Sequence, residues 1–233
     1  MRARAFRARP ALELRGAALA PGAPPLDLRL DEGEIVWLCL GEAGTSGRLL
    51  DLASGLLAPA AGAVRALGLD WRALGARQAA ALRGRIGRLL PAGAWVPHLS
   101  IAENVALRPL HHTDRSRAAL LDEAAALCRH FGLAGAPLDA PGDVSRETLQ
   151  RATLARMFID APALLLIDET AEPIPGPLVA PTANSALAAV RSGAAALWIT
   201  DANHNEGPAL MAEARRLRLG RDGIVAAGRE VFA

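Results

Sequence analysis

Two short runs of the chain contain no polar residue at all: Ile35 to Leu40 (IVWLCL) and Ala163 to Ile167 (ALLLI). Runs so short and so uniformly apolar suit strands buried on both faces of a parallel sheet. The second ends abruptly in Asp168 and Glu169, and carboxylates at the carboxyl end of such a strand sit where open α/β sheets bind ligands. Upstream of it, Leu149, Ala152, Thr153, Leu154, Met157 and Phe158 recur at helical spacing. Asp160-Ala161-Pro162 then stops that helix, because proline cannot continue it and restricts the residue before it. The first run leads into Gly41-Glu42-Ala43-Gly44-Thr45-Ser46-Gly47-Arg48 and then into LLDLASGLL, which has helical periodicity. Strand, glycine-rich loop, helix is the architecture of a phosphate-binding loop, whose amides cradle anions at a helix N-terminus. Between residues 11 and 36 the pattern changes to short strands around the turn-rich APGAPP. Leu26, Leu28 and Leu30 alternate with polar residues, and Asp31-Glu32-Gly33-Glu34 makes a tight acidic turn.

A chain of 233 residues has room for one α/β domain, or for a domain with a lobe. An apolar share of 52% excludes disorder, and no uninterrupted apolar stretch reaches the ~20 residues of a membrane span. The arginine-rich N-terminus is not expected to act as a signal peptide, since Glu13 and Arg15 interrupt any apolar segment; a cytoplasmic protein is expected. Cys39 and Cys128 lie in apolar contexts as small buried hydrophobes, with no Cys-x-x-Cys to suggest zinc or disulfides. Adjacent His111 and His112, without further ligands, read as a solvated loop rather than a metal site. The net charge of +2 is too small to argue for nucleic acid. One compositional fact bears on chemistry: the sequence contains no lysine. Any mechanism that requires a lysine ammonium is closed to it.

Further motifs give these pieces a common setting. Gly55-Leu56-Leu57-Ala58-Pro59, Gly62 and Gly68-Leu69-Asp70 follow the glycine-rich loop. Arg85-Ile86-Gly87 and His98-Leu99-Ser100-Ile101-Ala102-Glu103-Asn104-Val105 come next, then Gln150-Arg151, Leu154-Ala155-Arg156 and the LLLIDE run. LRLGRDGIVAAG closes the set, with Asp222-Gly223 as a hairpin turn. In this order the motifs resemble the nucleotide-binding subunits of ATP-binding cassette (ABC) transporters over nearly the whole chain. Within that family, PAGAWVPHLSIAENVALRPLHHT is most similar to the ATPase subunits of Mla-type phospholipid transporters. The resemblance implies a P-loop NTPase (RecA-like) α/β core with an antiparallel β subdomain, built from residues 1–90 and 151–233, and an inserted helical lobe at 91–150. It implies ATP and Mg²⁺ as cofactors, held by Gly41, Glu42, Ala43, Gly44, Thr45, Ser46, Gly47 and Arg48. Asp168 would organise the metal and Glu169 would act as general base. The implied partners are a membrane permease, docked near Trp95 to Glu103, and a second nucleotide-binding subunit. The protein would then be peripheral on the inner membrane.

The chain departs from the family at several of these positions. The family loop is G-x-x-x-x-G-K-[ST], with lysine on the β/γ-phosphates and the hydroxyl on Mg²⁺. Counted forward from Gly41, the second glycine becomes Ser46, the lysine Gly47 and the hydroxyl Arg48; counted backward from Leu49-Leu50, the lysine becomes Ser46 and the hydroxyl Gly47. Neither register restores the chemistry, and Arg48 offers a planar fork rather than a point charge. Pro91 stands where the family has a glutamine, and Asp201 where it has a switch histidine. No aromatic between Arg7 and Glu34 can stack on adenine. Val144-Ser145-Arg146-Glu147-Thr148 replaces the L-S-G-G-Q signature, whose glycines let backbone amides approach phosphate. Asp168 and Glu169 alone are retained. The expectation is a degenerate subunit with a structural or regulatory role. A working ATPase and a nucleotide sensor without turnover are the alternatives.

Overall fold

The computed structural model describes residues 9–40, 45–91, 94–201 and 210–226, with side chains from residue 212 in the last segment. Two sheets and a set of helices make up this part of the chain. Strands β1 (Pro10–Ala18), β2 (Leu26–Asp31), β4 (Ala61–Ala66) and β5 (Leu69–Asp70) form an antiparallel sheet in the order β2-β1-β4-β5. Strands β3 (Ile35–Leu40), β6 (Ile86–Arg88), β7 (Leu164–Asp168), β8 (Ala195–Asp201), β9 (Arg215–Gly220) and β10 (Gly223–Ala226) form the second sheet, in the order β10-β9-β3-β8-β7-β6. It is parallel from β9 to β6, with β10 antiparallel at its edge. The two apolar runs are thus β3 and β7, and β8 lies between them.

Both faces of this sheet are covered, which is why its central strands show no alternation in the sequence. Leu164 and Leu166 of β7, with Val36 and Leu38 of β3, pack toward the antiparallel sheet and helix α1 (Ser46–Ala53). Leu165 and Ile167, with Trp37 and Trp198, pack on the other side. That layer also takes in helices α3 (Ile101–His112), α4 (Arg117–His130), α5 (Arg146–Phe158) and α6 (Gly176–Arg191). The two indoles lie directly opposite across β3 and β8 and stack with centroids 5.4 Å apart. Helix α2 (Ala76–Arg83) and the short α7 (Leu210–Glu213) complete the helices among the described residues.

Local chemistry moves several boundaries away from the sequence expectation. Helix α5 begins at Arg146 rather than at the first apolar position, Leu149, because Ser145 Oγ accepts from the Thr148 amide at 3.1 Å. It ends at Phe158, and Asp160 and Ala161 then take positive φ of 58° and 38° ahead of Pro162. Helix α1 stops at Ala53; Gly55 turns with φ 67°, and the amides of Leu56 and Leu57 both donate to the Asp51 carbonyl. The last hairpin pairs Gly220 with Gly223, so its turn residues are Arg221 and Asp222, and Gly223 opens β10. His111 and His112 are not in a loop: they form the exposed end of α3.

Candidate nucleotide site

The carboxyl ends of β7 and β8 bring the retained acids to one rim of the sheet. Asp168, the last residue of β7, is 3% exposed, and Glu169 beside it is 5% exposed. The Glu169 amide donates to the Ile199 carbonyl at 3.0 Å, so the chain stays tied to β8 past the end of the strand. Asp201 closes β8 opposite Leu40 of β3. Its charge is felt inside the sheet: burial raises the Cys39 thiol pKa, Arg218 opposes the rise and Asp201 adds to it.

Asp168 is held from its own loop. Its Oδ1 accepts from the Thr170 amide at 3.0 Å, the Thr170 hydroxyl at 2.6 Å and the Ala171 amide at 3.2 Å. Thr170 Oγ1 also lies 2.8 Å from Ser46 Oγ, at the first position of α1. A threonine hydroxyl has a single proton, and the charged, closer carboxylate is the stronger acceptor. The single Thr170 proton is therefore directed at two acceptors, Asp168 Oδ1 and buried Ser46 Oγ, with the closer carboxylate favoured, in a Ser46–Thr170–Asp168 relay centred on Thr170. The relay joins residues 124 positions apart in sequence, so the first turn of α1 meets the segment after β7. The missed member is Thr170. Its signal was present in Asp168-x-Thr170, since an aspartate accepting from the amide two residues on is an Asx-turn.

The other expected residues fall as follows. Gly41, Glu42, Ala43 and Gly44 lie outside the described residues. Thr45 precedes α1 but makes no side-chain cap, leaving the first-turn amides oriented to attract an anion. A Cβ on Gly47 would meet nothing within 4 Å. Arg48 Nη2 donates to the Leu19 carbonyl at 2.6 Å, which turns the guanidinium toward the segment between β1 and β2. Beside it a cavity of about 390 Å³ is walled by Leu19, Ala23, Pro24, Leu26 and Leu219, with no aromatic among the described residues that line it. Pro91 is exposed. At the start of α5, Arg146 and Glu147 are exposed, and Glu147 pairs with Arg151 at 2.7 Å. A carboxylate in a first helical turn occupies the position an anionic ligand would favour.

Comparison with known proteins places this arrangement. The ABC transporter family model matches residues 24–172. The chain belongs to the ABC transporter family. Among curated ABC proteins, it is 31% identical to the lipoprotein-releasing system ATP-binding protein LolD of Roseobacter denitrificans. That alignment covers 69% of this chain and 74% of the relative. It is 36% identical to the phosphonates import ATP-binding protein PhnC of Anaeromyxobacter dehalogenans, over 69% of this chain but 34% of the relative. Among solved structures, an ATP-binding subunit of an ABC transporter superposes with a TM-score of 0.77 at 18% identity, covering 94% of this chain and 89% of its own. A dimeric ATP-binding cassette in a post-hydrolysis state with ADP and Pi superposes with a TM-score of 0.76 at 16% identity, over 91% of this chain and 96% of its own. These likenesses fix the fold as a RecA-like P-loop NTPase core with a mixed sheet and helical subdomain, as the ABC resemblance implied. The chain is an ATP-binding-type subunit of an ABC transporter, and membership implies ATP and Mg²⁺ as the family's ligands.

Proposed function

We propose that this subunit has a degenerate nucleotide site and serves an ABC transporter in a structural or regulatory role. The observation that carries this is the Ser46–Thr170–Asp168 relay in a chain without lysine. The described residues do not match the donor set of a magnesium–triphosphate complex. One oxygen of Asp168 already accepts three hydrogen bonds, Ser46 Oγ accepts from Thr170 Oγ1, and no lysine ammonium exists to meet phosphate. Asp201 adds a carboxylate where the resemblance expects a histidine. Losing one contact in a phosphoryl-transfer site costs ~10²-fold or more, and several losses compound.

The setting we propose is a lipid transporter of Mla type, from the likeness of residues 91–113 to that group. Residues 91–150 act as its helical lobe. The subunit pairs with a second nucleotide-binding subunit and sits on the cytoplasmic side of the inner membrane through a permease. The permease contact is assigned to Trp95–Glu103, where Trp95, Val96 and Leu99 are half-buried. Asn104 ties this segment to α3 through bonds to Val96, Leu99 and Ser100.

A working ATPase is the second reading. It is favoured by the likeness to ATP-binding proteins across the family match and by the presence of both Asp168 and Glu169 at the end of β7. Turnover separates the two. The degenerate reading expects phosphate release from Mg-ATP to equal that of Glu169→Gln. Release well above that variant, in the purified subunit or with its permease, establishes the ATPase.

A further inference from the structure

The turn after α1 carries a surface that the nucleotide site does not use. Leu56 is 62% exposed and Leu69, in β5, is 48% exposed; they are two of the four large apolar side chains exposed among the described residues. Half-buried Trp71 fixes the turn from below. It packs on Gly55, where a Cβ would come within 2.3 Å of its ring, and its Nε1 donates to the Ala53 carbonyl at 3.2 Å. Arg72 and Arg83 hold the two ends of the same turn, donating to the Pro59 carbonyl at 3.1 Å and the Gly55 carbonyl at 3.3 Å. Leu56 therefore stands out of a turn clasped by two guanidinium groups.

The surrounding charge has one sign. Residues 71–102 contain five arginines and no aspartate or glutamate. Of the five, Arg88 is paired, with Asp51 at 2.7 Å. Arg72, Arg77, Arg83 and Arg85 have no ion pair among the described residues, and all but Arg83 are exposed. Asp70, just upstream, faces Arg65 at 3.8 Å. Arg77, in the first turn of α2, extends the charge along that helix.

A face that is both apolar and cationic matches an anionic bilayer surface. Leucine and tryptophan enter the headgroup layer, while arginine stems lie along it and their heads meet phosphate. The place of the face in the fold agrees. Arg83 also lines a cleft with Ala94, Asn104 and Arg156, and Arg156 stacks 4.1 Å over Trp95. The face thus borders the segment assigned above to the permease, and a surface beside the docking site of a membrane protein lies near headgroups. We propose that Leu56, Leu69, Trp71, Arg72, Arg77 and Arg83 form a contact for anionic lipid headgroups. The choice of a bilayer rests on the permease reading; the exposure and the charge do not.

The test is co-sedimentation of the full chain with vesicles of phosphatidylcholine alone and of equimolar phosphatidylcholine and phosphatidylglycerol. Binding is expected to the mixed vesicles only, and to weaken with added salt as screening requires. An arginine near an anionic leaflet strengthens attachment about fivefold, so Arg77→Gln is expected to weaken binding by about that factor. Arg77 makes no hydrogen bond or ion pair among the described residues that its loss would break. Leu56→Asn, at an exposed position, is expected to weaken binding ~3–5-fold by removing apolar surface from the contact. Arg129→Gln, which removes an exposed charge from α4, is expected to leave binding unchanged. No permease is present, so failure here is distinguishable from failure of the permease contact. No binding to mixed vesicles, equal binding to phosphatidylcholine alone, binding indifferent to Arg77→Gln or to Leu56→Asn, or an equal loss in Arg129→Gln overturns the contact.

Discussion

Removing the Thr170 hydroxyl tests the relay at the β7 rim directly. In Thr170→Val the side chain keeps its shape and loses the proton held 2.6 Å from Asp168 Oδ1. Asp168 retains its two amide donors at 3.0 and 3.2 Å, so the carboxylate is weakened rather than abandoned. A hydrogen bond to a charged group contributes ~1.5–3 kcal/mol. Ser46, 5% exposed, loses its hydroxyl partner too, and an orphaned buried polar group adds ~1 kcal/mol or more. The expected loss is about 3 kcal/mol, or ~6–12 °C in Tm at 2–4 °C per kcal/mol for a domain of this size. Urea unfolding followed by circular dichroism measures it, with Thr170→Ser as the control that restores the hydroxyl and recovers most of the loss. A loss below ~0.5 kcal/mol, within the range of an ordinary surface substitution, refutes the relay. So does a Thr170→Ser variant no more stable than Thr170→Val.

Two further outcomes follow from single elements. At the start of α3, Ser100 and Glu103 form a reciprocal capping box, and Ser100→Ala is expected to cost ~1 kcal/mol in urea unfolding. The Glu103 carboxyl is held below its ordinary 4.5 by hydrogen bonds from Ser100, then by Arg117. A depressed carboxyl pKa stabilises fully above the unfolded value and loses that contribution as pH falls through the folded one. Glu103→Gln should therefore flatten the acid limb of the stability profile below about pH 4.5; an unchanged limb counts against the box. Both thiols are buried, and burial pushes Cys128 up to about 11. Native protein at pH 8 should resist a disulfide reagent that titrates both cysteines after unfolding, and rapid native labelling would contradict the packing of α4.

What the sequence showed of this fold was its period. β3 and β7 were visible as apolar runs because both faces of their sheet are covered, and β2 because one face of Leu26–Asp31 is not. Boundaries set by hydrogen bonds were less visible. The first turn of α5 is polar, Arg146 and Glu147, so apolar spacing alone placed its start three residues late, and the Ser145 cap set the true one. The end of α3 carries Pro109, His111 and His112, residues whose local preferences suggest a loop; packing of α3 on α4 and α5 overrides them. At the candidate site, Asp168 and Glu169 could be read as a strand ending in acid. The link to Ser46 could not, since nothing local in either segment indicates a partner so far along the chain. Arg48 could be read as a free cation, but its destination at the Leu19 carbonyl depends on how β1 ends beside α1.

The central claim concerns nucleotide, and calorimetric titration of the purified subunit with Mg-ATP tests it most directly. The attraction left is that of the α1 dipole and amides, ~1–2 kcal/mol at most. Against it stand Asp168, Glu169 and Asp201, with no lysine anywhere in the chain. The account predicts a Kd in the millimolar range or weaker, about −4 kcal/mol, scarcely altered in Glu169→Gln. Micromolar affinity that requires Mg²⁺, with ATP turnover abolished in Glu169→Gln, would contradict it and make the subunit a working ATPase.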